Sequence, residues 1–351
     1  MHSTSDNVRL SKVDMAPEIV SESLVLDQPA AATLAAIDQI GAAYDAQSRS
    51  AATRRAYRAD WQDFCAWCAH LGLESLPASE RTVARYVTQL AEGNYEHKPV
   101  DLRKPLKVAT LTRRLASISQ AHQLAGHSSP TTSELVRTRM KGIRRTLGTR
   151  QDQAAAATIE VVRAMVYALP ERRLGLRDRA LLLVGFAGAF RRSELVGLDY
   201  PDIRFVPEGM IVTLRRSKTN QEGATEEIGI ARGRWAETCP VRALEAWLNA
   251  AHITEGPIFR PLGKHGNVRA RRLTDHAVGL IVKRAAERAG LDPAPFSGHS
   301  LRAGLVTSAY AADVPEHAIQ AQTRHHSERM LRTYKRSGTL FTQNASGKVG
   351  L

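Results

Sequence analysis

Charged side chains occupy positions in the second half of the sequence where an amphipathic helix does not require them. Arg191 directly follows an apolar run, and Glu194, three residues on, lies on the same face of a predicted helix. His299 and Arg302 have the same spacing at the start of another predicted helix, whose N-terminus favours anions. The first pair alone is also typical of an ordinary surface ion pair. Together, the two pairs indicate an anion site.

Two further groups extend this set along the chain. Lys218 lies at the tip of a predicted hairpin, from which its long, flexible ammonium group can reach into a cleft. Near the end of the sequence, His325 and His326 precede Tyr334, which stands among basic residues in a setting unusual for a core tyrosine. Each group alone is modest evidence, and the stronger observation is their order.

That order resembles the tyrosine recombinase, or phage integrase, family, and the resemblance extends from about Thr53 to Tyr334. The residues that match the family's catalytic positions are Arg191, Lys218, His299, Arg302, His325 and Tyr334. The resemblance implies a site-specific DNA recombinase that cleaves and rejoins DNA through a 3′-phosphotyrosine intermediate, for integration, excision or resolution of a mobile element. It also implies a mostly α fold with a small β-sheet, in which an all-α, SAM-like core-binding domain and an α+β catalytic domain form a C-shaped clamp on DNA.

The sequence departs from the family pattern at two points. Ala189 stands where the family often has glycine, and residues 324–326 read Arg-His-His in place of the more usual Gly-His-Ser. The family spacing of nine residues to the tyrosine selects His325, whereas the serine that follows His326 favours His326. We assign His325 as the third basic residue.

The two arginines suit the charge that such a reaction develops. Attack on a phosphodiester places negative charge on the equatorial oxygens, and the guanidinium groups of Arg191 and Arg302 remain protonated and can bind that charge. Glu194 is expected to orient Arg191.

The remaining groups suit the transfer of the phosphate and of protons. Tyr334 supplies a phenolic oxygen that displaces the 5′-oxygen and retains the 3′-phosphate, so the bond energy is conserved and no metal or other cofactor is predicted. With an ordinary pKa of about 10, the phenol needs a base or a cationic site. His299 serves as that base or positions the phosphate. Lys218 is expected to protonate the departing 5′-oxygen from its mobile hairpin.

The elements that must position these residues follow from apolar periodicity. Four helices are predicted between residues 46 and 146: one capped by Thr53, one opening at Ser79, one from Val108 to Gly126 and one from Ser133 to Arg145. In the second half, Met210–Leu214 and Glu226–Ile230 predict a hairpin, and Ile258 with Phe259 predicts a third strand. Helices are predicted for most of the rest, including Ser327–Arg336.

The balance of charge favours a polyanionic partner. The 351 residues include 49 lysine and arginine and 35 aspartate and glutamate residues, a formal net charge of +14. Residues 1–45 hold 2 basic and 7 acidic side chains, residues 46–150 hold 18 and 8, and residues 151–351 hold 29 and 20. Because basic surfaces attract polyanions and phosphate neutralisation supplies most non-specific affinity for DNA, nucleic acid is the favoured partner, and a basic solvated surface with no particular ligand is the alternative. The family resemblance implies double-stranded DNA.

The basic residues of the first predicted domain are clustered, as a surface that follows phosphates requires. The predicted DNA-binding residues are Arg54, Arg55, Arg58, Arg113, Arg114, Arg137, Arg139, Lys141, Arg144 and Arg145. Any single arginine on an amphipathic helix is more often only a solvated surface residue. The clusters favour the functional interpretation.

Pattern and composition divide the chain into five segments. These are a partly disordered N-terminal arm (1–45, with a possible helix at 30–44), a helical core-binding domain (46–146), a linker (147–158), a catalytic domain (159–340) and a C-terminal tail (341–351). No apolar run approaches the roughly 18 residues of a membrane helix. With three cysteines and no signal-peptide pattern, we expect a cytoplasmic protein associated with the nucleoid. The family resemblance implies a homotetramer on two synapsed DNA sites, with accessory or directionality proteins as further candidate partners.

Three functions other than recombination would use part of the same residue pattern. A metal-dependent nuclease could use His299, His325 and His326, but neighbouring arginines would repel a divalent cation. A type IB topoisomerase shares the chemistry without exchanging strands between duplexes, and a non-catalytic DNA-binding protein would not need Tyr334 or Lys218. The spacing of Cys65 and Cys68 also permits a zinc site, but their helical surroundings favour core thiols.

Overall fold

The computed structural model describes Ile37 and residues 50–93, 104–149, 154–215 and 225–324. The chain divides into two compact units, residues 1–149 and residues 150–351. The division falls within the predicted linker.

Four α-helices lie within the described ranges 50–93 and 104–149 of the first unit: α1 (Ala51–His70), α2 (Glu80–Glu92), α3 (Val108–Leu124) and α4 (Glu134–Leu147). The hydroxyl oxygens of Ser50, Ser79 and Ser133 cap α1, α2 and α4 by accepting hydrogen bonds from the backbone N–H three residues on, at 3.2, 3.1 and 3.3 Å. The predicted starts at Ser79 and Ser133 are confirmed. Helix α1 begins before the predicted cap at Thr53, because Ser50 supplies the capping oxygen instead.

These helices enclose a core that is rich in aromatic side chains. The rings of Phe64 and Tyr86 are fully buried and meet edge to face, with centroids 5.0 Å apart. His122 is also fully buried, and its Nε2 accepts a hydrogen bond from the Ala78 N–H at 2.8 Å. Its Nδ1 therefore carries the proton and donates to the Ile118 carbonyl at 2.8 Å. This histidine is a satisfied core residue.

The described part of the second unit is also mostly helical. Its α-helices are α5 (Ile159–Tyr167), α6 (Arg173–Ala187), α7 (Arg192–Gly197), α8 (Pro240–Ala251), α9 (Asp275–Arg288), α10 (Ser300–Ala311) and α11 (Glu316–Thr323). Residues 180–184 of α6 are all buried, which is the pattern of a helix enclosed by its neighbours. Helix α6 packs chiefly against α8, whose Trp247 is fully buried and donates its Nε1–H to the Ile258 carbonyl at 2.7 Å.

A three-stranded antiparallel sheet completes the described part of this unit. Its strands are β1 (Ile203–Val206), β2 (Gly209–Leu214) and β3 (Glu226–Ala231), in the order β1-β2-β3. The pairs Met210 with Ile230 and Val212 with Ile228 bury one face of the β2–β3 hairpin. The predicted hairpin is confirmed.

The predicted third strand at Ile258 and Phe259 is wrong. Both side chains are fully buried, but their backbone groups bond to loops: the Ile258 N–H donates to the Leu198 carbonyl at 3.2 Å, and Phe259 accepts from the Leu273 N–H at 2.9 Å. The third strand is β1, which pairs with β2 across a two-residue turn. The four residues of β1 read Ile-Arg-Phe-Val, so they do not alternate strictly between apolar and polar as a half-buried strand does. In the structure, the two central residues are both exposed.

Two predicted helices lie largely or wholly outside the described residues, whereas the cysteine pair lies within them. The possible helix at 30–44, except for the helical Ile37, and the helix at Ser327–Arg336 lie outside the described residues. Cys68 is buried, which raises the pKa of its thiol to about 12, and Cys65 is half-buried. None of the helices in the described ranges is both long and apolar enough to cross a bilayer.

Candidate active site

Arg191 lies in the turn between α6 and α7, where Glu194 holds it at two points. The backbone N–H of Arg191 donates to Glu194 Oε2 at 2.9 Å, and its Nη1 donates to Glu194 Oε1 at 2.5 Å. The Glu194 side chain is 2% exposed and that of Arg191 is 19% exposed. A buried carboxylate therefore orients a guanidinium group that remains accessible to an anion.

Arg302 connects α10 to the same turn. Arg302 is 1% exposed as a whole residue. Its Nη1 donates a hydrogen bond to the carbonyl oxygen of Ala189, 113 residues earlier in the sequence, at 2.7 Å. Ala189 has a φ of 46°, in the left-handed region that glycine adopts most readily. The alanine that departs from the family pattern thus adopts the conformation suited to glycine, and its carbonyl anchors the second arginine.

His299 lies at the N-terminus of α10, beside both arginines. Its backbone N–H donates to Ser297 Oγ at 3.1 Å, which fixes the turn that leads into the helix. Desolvation lowers the pKa of the imidazole, and the positive charges of Arg302, Arg191 and Arg192 lower it further. The imidazole is therefore neutral at neutral pH and able to accept a proton.

Close packing brings this turn against α7. Gly298 lies so near Arg192 that an added Cβ would be 3.3 Å from the Arg192 Cβ. Arg192 itself is exposed and pairs with Asp275 of α9 at 3.2 Å. The structure thus brings together Arg191, Glu194, His299 and Arg302, four of the predicted site residues, from two segments distant in sequence.

Arg324 is a member of this cluster that sequence reasoning did not assign. Its guanidinium group is 6% exposed, and Nη2 donates to Glu194 Oε2 at 2.8 Å. The same group lies over the Phe190 ring, 5.3 Å from its centroid, and Nη1 donates to the Gly188 carbonyl at 3.3 Å. The available signal was an arginine where the family pattern has glycine, directly before the predicted third basic residue.

The other predicted catalytic residues lie outside the described part of the chain. Lys218 belongs to the segment between β2 and β3, and His325, its alternative His326 and Tyr334 follow the last described residue. No geometry is assigned to them.

The predicted DNA-binding residues of the first unit differ in exposure. Nine of them are exposed: Arg54, Arg55, Arg58, Arg113, Arg137, Arg139, Lys141, Arg144 and Arg145. Arg113 pairs with Asp60 at 3.0 Å, and Arg137 pairs with Glu134 at 2.5 Å. Surface ion pairs of this kind are weak and leave the arginines able to exchange partners.

Arg114 departs from that prediction. It is buried, its guanidinium group lies near the carboxylates of Asp60 and Asp63, and it donates to the Tyr86 hydroxyl. Two carboxylates balance its charge inside the helical bundle, so the placement fits a structural ion pair and does not fit a phosphate contact. The helical period of α3 carries a signal for this difference, because Arg114 lies three residues after the buried Leu111 and four before the buried Ile118, on the apolar face.

The sequence and the fold are both similar to those of known proteins. The sequence matches the phage integrase family over residues 157–339. It is 41% identical over 307 residues to an integrase/recombinase xerD homolog of Selenomonas ruminantium, covering 86% of each chain. The fold is similar to that of a lambda integrase dimer bound to a COC′ core site (TM-score 0.55, 15% identity, 89% of this chain and 82% of that one). It is also similar to that of the XerH site-specific recombinase bound to a palindromic difH substrate in a post-cleavage complex (TM-score 0.54, 16% identity, 77% and 72%).

The chain belongs to the phage integrase family of tyrosine recombinases. It is accordingly a site-specific recombinase, an enzyme that cleaves and rejoins DNA. The resemblance noted in the sequence and the expected mostly helical fold with a small sheet are confirmed.

Proposed function

We propose that Arg191, His299 and Arg302 form the site at which a DNA phosphodiester reacts. The observation that supports this most directly is the convergence of two guanidinium groups and a neutral imidazole at the start of α10. The two guanidinium groups bind the charge that develops on the non-bridging oxygens. Glu194 and the Ala189 carbonyl hold those groups in place before the substrate arrives.

In this proposal Tyr334 is the nucleophile. Its phenolic oxygen forms a bond to phosphorus while the bond to the 5′-oxygen breaks, so the enzyme holds the 3′-phosphate and releases a 5′-hydroxyl. His299 accepts the phenolic proton, and Lys218 donates a proton to the leaving oxygen. Rejoining reverses these steps with a 5′-hydroxyl from the exchanged strand. No cofactor is required by this balance of atoms.

The position of Arg324 supports His325 as the third basic residue. Arg324 ends α11 with a φ of 55°, in the left-handed region in which glycine commonly terminates helices. In the family pattern, glycine directly precedes the histidine. Aligning Arg324 with that glycine makes His325, rather than His326, the matching residue.

We further propose that residues 46–146 form the core-binding domain and residues 159–340 the catalytic domain, joined by residues 147–158. The nine exposed residues among the predicted DNA-binding cations of the first unit are proposed to contact DNA phosphates. Helix α4 supplies five of them, and three of these, Arg137, Lys141 and Arg144, recur at spacings of four and three on one side of the helix.

The proposed assembly has two copies of the chain on each recombination site and four copies when two sites synapse. The similar lambda integrase structure is a dimer on its core site, which supports the first half of this proposal. The arm at residues 1–45 or the tail after Tyr334 is proposed to mediate contacts between neighbouring copies. We place the enzyme in the cytoplasm, with the chromosome, where integration, excision or resolution of a mobile element would occur, with or without accessory proteins.

The experiment that tests the mechanism uses a DNA site carrying a nick near the cleavage position, so that the released fragment diffuses away and the covalent complex accumulates. Wild type and Tyr334→Phe are incubated with this DNA in EDTA and resolved on a denaturing gel. We expect a protein–DNA band for wild type only. A band that survives Tyr334→Phe, or no wild-type band on a bound site, would contradict the nucleophile assignment.

A second experiment distinguishes strand exchange between duplexes from the relaxation of DNA supercoils alone. Two labelled duplexes of different length are mixed with the enzyme and the products are sized, and a supercoiled plasmid that carries the site is incubated with the enzyme in parallel. Exchange between the duplexes supports recombination, whereas relaxation of supercoils without exchanged products would indicate a topoisomerase-like activity.

A further inference from the structure

Arg324 carries a buried charge that the proposed chemistry does not itself use. Burial lowers the pKa of its guanidinium group, while Glu194 opposes that effect, and the group remains protonated because arginine pKa values are so high. Glu226 of β3 adds a weaker contact, at 4.0 Å from Nε. A buried charge is retained only where its partners compensate for the lost hydration.

Glu194 is shared between two arginines. Its Oε1 accepts from Arg191 Nη1, while its Oε2 accepts from both the Arg191 N–H and Arg324 Nη2. If Arg191 were its only partner, the carboxylate would cancel most of the Arg191 charge. With Arg324 present, the three groups carry a net charge of +1, so positive charge remains available for an anion at Arg191.

The end of α11 is fixed to the same turn at more than one point. Gln322 Nε2 donates to the Ala187 carbonyl at 2.7 Å, and Arg324 Nη1 donates to the carbonyl of the next residue, Gly188. These bonds span about 135 residues of sequence. The left-handed backbone of Arg324 disfavours any residue with a side chain, so the contacts of the guanidinium group offset that cost.

We propose that Arg324 is a positioning residue for strand cleavage: it holds Glu194, and through it Arg191, and leaves the Arg191 charge free to bind the reacting phosphate. This inference rests on the proposed role of Arg191. Arg324 itself does not contact the substrate in this scheme. It stands where the family pattern has glycine, so the family pattern does not predict this contribution.

The test compares three substitutions at this position with a matched control. Arg324→Gly restores the residue best suited to the backbone and removes the guanidinium group, Arg324→Met keeps much of the volume, and Arg324→Lys keeps the charge. The control is Arg232→Met, because Arg232 is a partly exposed arginine of the same unit that pairs with Glu245 at 3.4 Å. DNA affinity, thermal unfolding and the single-turnover rate of covalent complex formation on the nicked site, at saturating DNA, are measured for each.

We expect Arg324→Gly and Arg324→Met to slow cleavage by about 10- to 100-fold, with DNA affinity changed less than about 3-fold, since misplacement of a catalytic group has effects of this size. Arg324→Lys should recover part of the rate, and Arg232→Met should match wild type. A rate loss in Arg324→Gly without loss of thermal stability would separate positioning from support of the fold.

A double-substitution cycle with Glu194→Gln tests the route of action. If Arg324 acts through Glu194, then Arg324→Met adds little to the defect of Glu194→Gln. Fully multiplicative defects, or wild-type rates in the single variants, would overturn the inference. Should both uncharged variants fail to fold, an unchanged cleavage rate in Glu194→Gln would also overturn it, because Arg324 is proposed to act through that carboxylate. Absence of a covalent complex with wild type would instead count against the proposed function.

Discussion

At the scale of single residues, Glu194 concentrates several contacts in one buried carboxylate. It is 5% exposed and accepts hydrogen bonds from two guanidinium groups and one backbone N–H. Removing one partner from a buried ionic cluster costs more than the cluster contributes as a whole, because the remaining charges are left uncompensated. Stability and reactivity therefore depend on the same side chain.

Replacement of Glu194 by glutamine is expected to lower the free energy of unfolding by about 3 kcal/mol, because the charges of two arginines then lack their anionic partner. Thermal unfolding of the full chain checks this. The control is Glu227→Gln, since Glu227 is exposed and pairs with Arg204 at 3.7 Å. We expect a change of less than about 0.5 kcal/mol for the control, and equal effects at the two sites would contradict the prediction.

The pH dependence of cleavage is expected to reflect His299. Its pKa lies below the ordinary value of 6.5, so the imidazole stays neutral in mildly acidic solution. If the neutral form accepts the phenolic proton, the cleavage rate falls only as the pH drops through this lowered pKa. Single-turnover rates at saturating DNA, measured between about pH 5 and pH 8, should place the acid limb below pH 6.5.

Substitution of Arg192 should move that limb. Arg192→Gln removes one of the positive charges that disfavour protonation of His299, so the pKa rises and the limb shifts to higher pH. Arg232→Gln is the matched control and should leave the limb in place. An unchanged limb in Arg192→Gln would argue against His299 as the titrating group.

At the scale of elements, the position of α10 depends on a glycine whose lack of a side chain permits close contact with the neighbouring segment. Gly304 lies so close to Ala157 that an added Cβ would be 1.8 Å from the Ala157 carbonyl oxygen. The Ala157 N–H donates to the Ser300 carbonyl at 3.0 Å, near His299 and Arg302. The approach of this segment therefore fixes the start of the helix.

We expect Gly304→Ala to destabilise the protein by roughly 2 kcal/mol or more and to slow cleavage, because α10 must move away from Ala157. The control is Gly279→Ala in α9, where the nearest atom to an added Cβ is 3.5 Å away. That change should be neutral or stabilising by about 0.5–1 kcal/mol, since alanine favours helices. Thermal unfolding and the cleavage assay measure both variants, and equal behaviour of the two would contradict the packing argument.

Local signals account for the parts of the fold that the sequence predicts. Ser79 and Ser133 are capping residues at the start of apolar repeats, and the alternation at 226–230 belongs to a hairpin, so these features were predictable. Strand β1 was missed because its central residues are both exposed. The role of Arg324 could not be predicted, because its partner Glu194 lies 130 residues away in sequence.

At the scale of the whole molecule, the uneven distribution of charge governs DNA binding. The N-terminal 45 residues are acidic, whereas the rest of the chain is strongly basic. Phosphate contacts release counterions from DNA, so affinity falls as the salt concentration rises. The slope of log affinity against log salt concentration is proportional to the number of phosphate contacts. The exposed cations of α4 should contribute to this slope, and the buried Arg114 should not.

Lys141→Gln and Arg144→Gln are each expected to reduce the slope of log affinity against log salt concentration by about 0.9, because each removes one phosphate contact. Titrations of labelled DNA at several salt concentrations measure this. Arg81→Gln is the control: Arg81 is exposed in the same unit and lies outside the predicted clusters. A similar loss in the control would mean that net charge, rather than contact, determines the slope.

The enclosure of α6 has a consequence for the dynamics of the enzyme. Because residues 180–184 are buried on all sides, their amide hydrogens can exchange with deuterium only when the unit opens as a whole. The turn that holds Arg191 begins where this helix ends, at Ala187. Arg191, the proposed phosphate-binding residue, lies four residues beyond the end of this helix. The turn is therefore joined at one end to a segment that should be among the slowest to exchange in the described part of the chain.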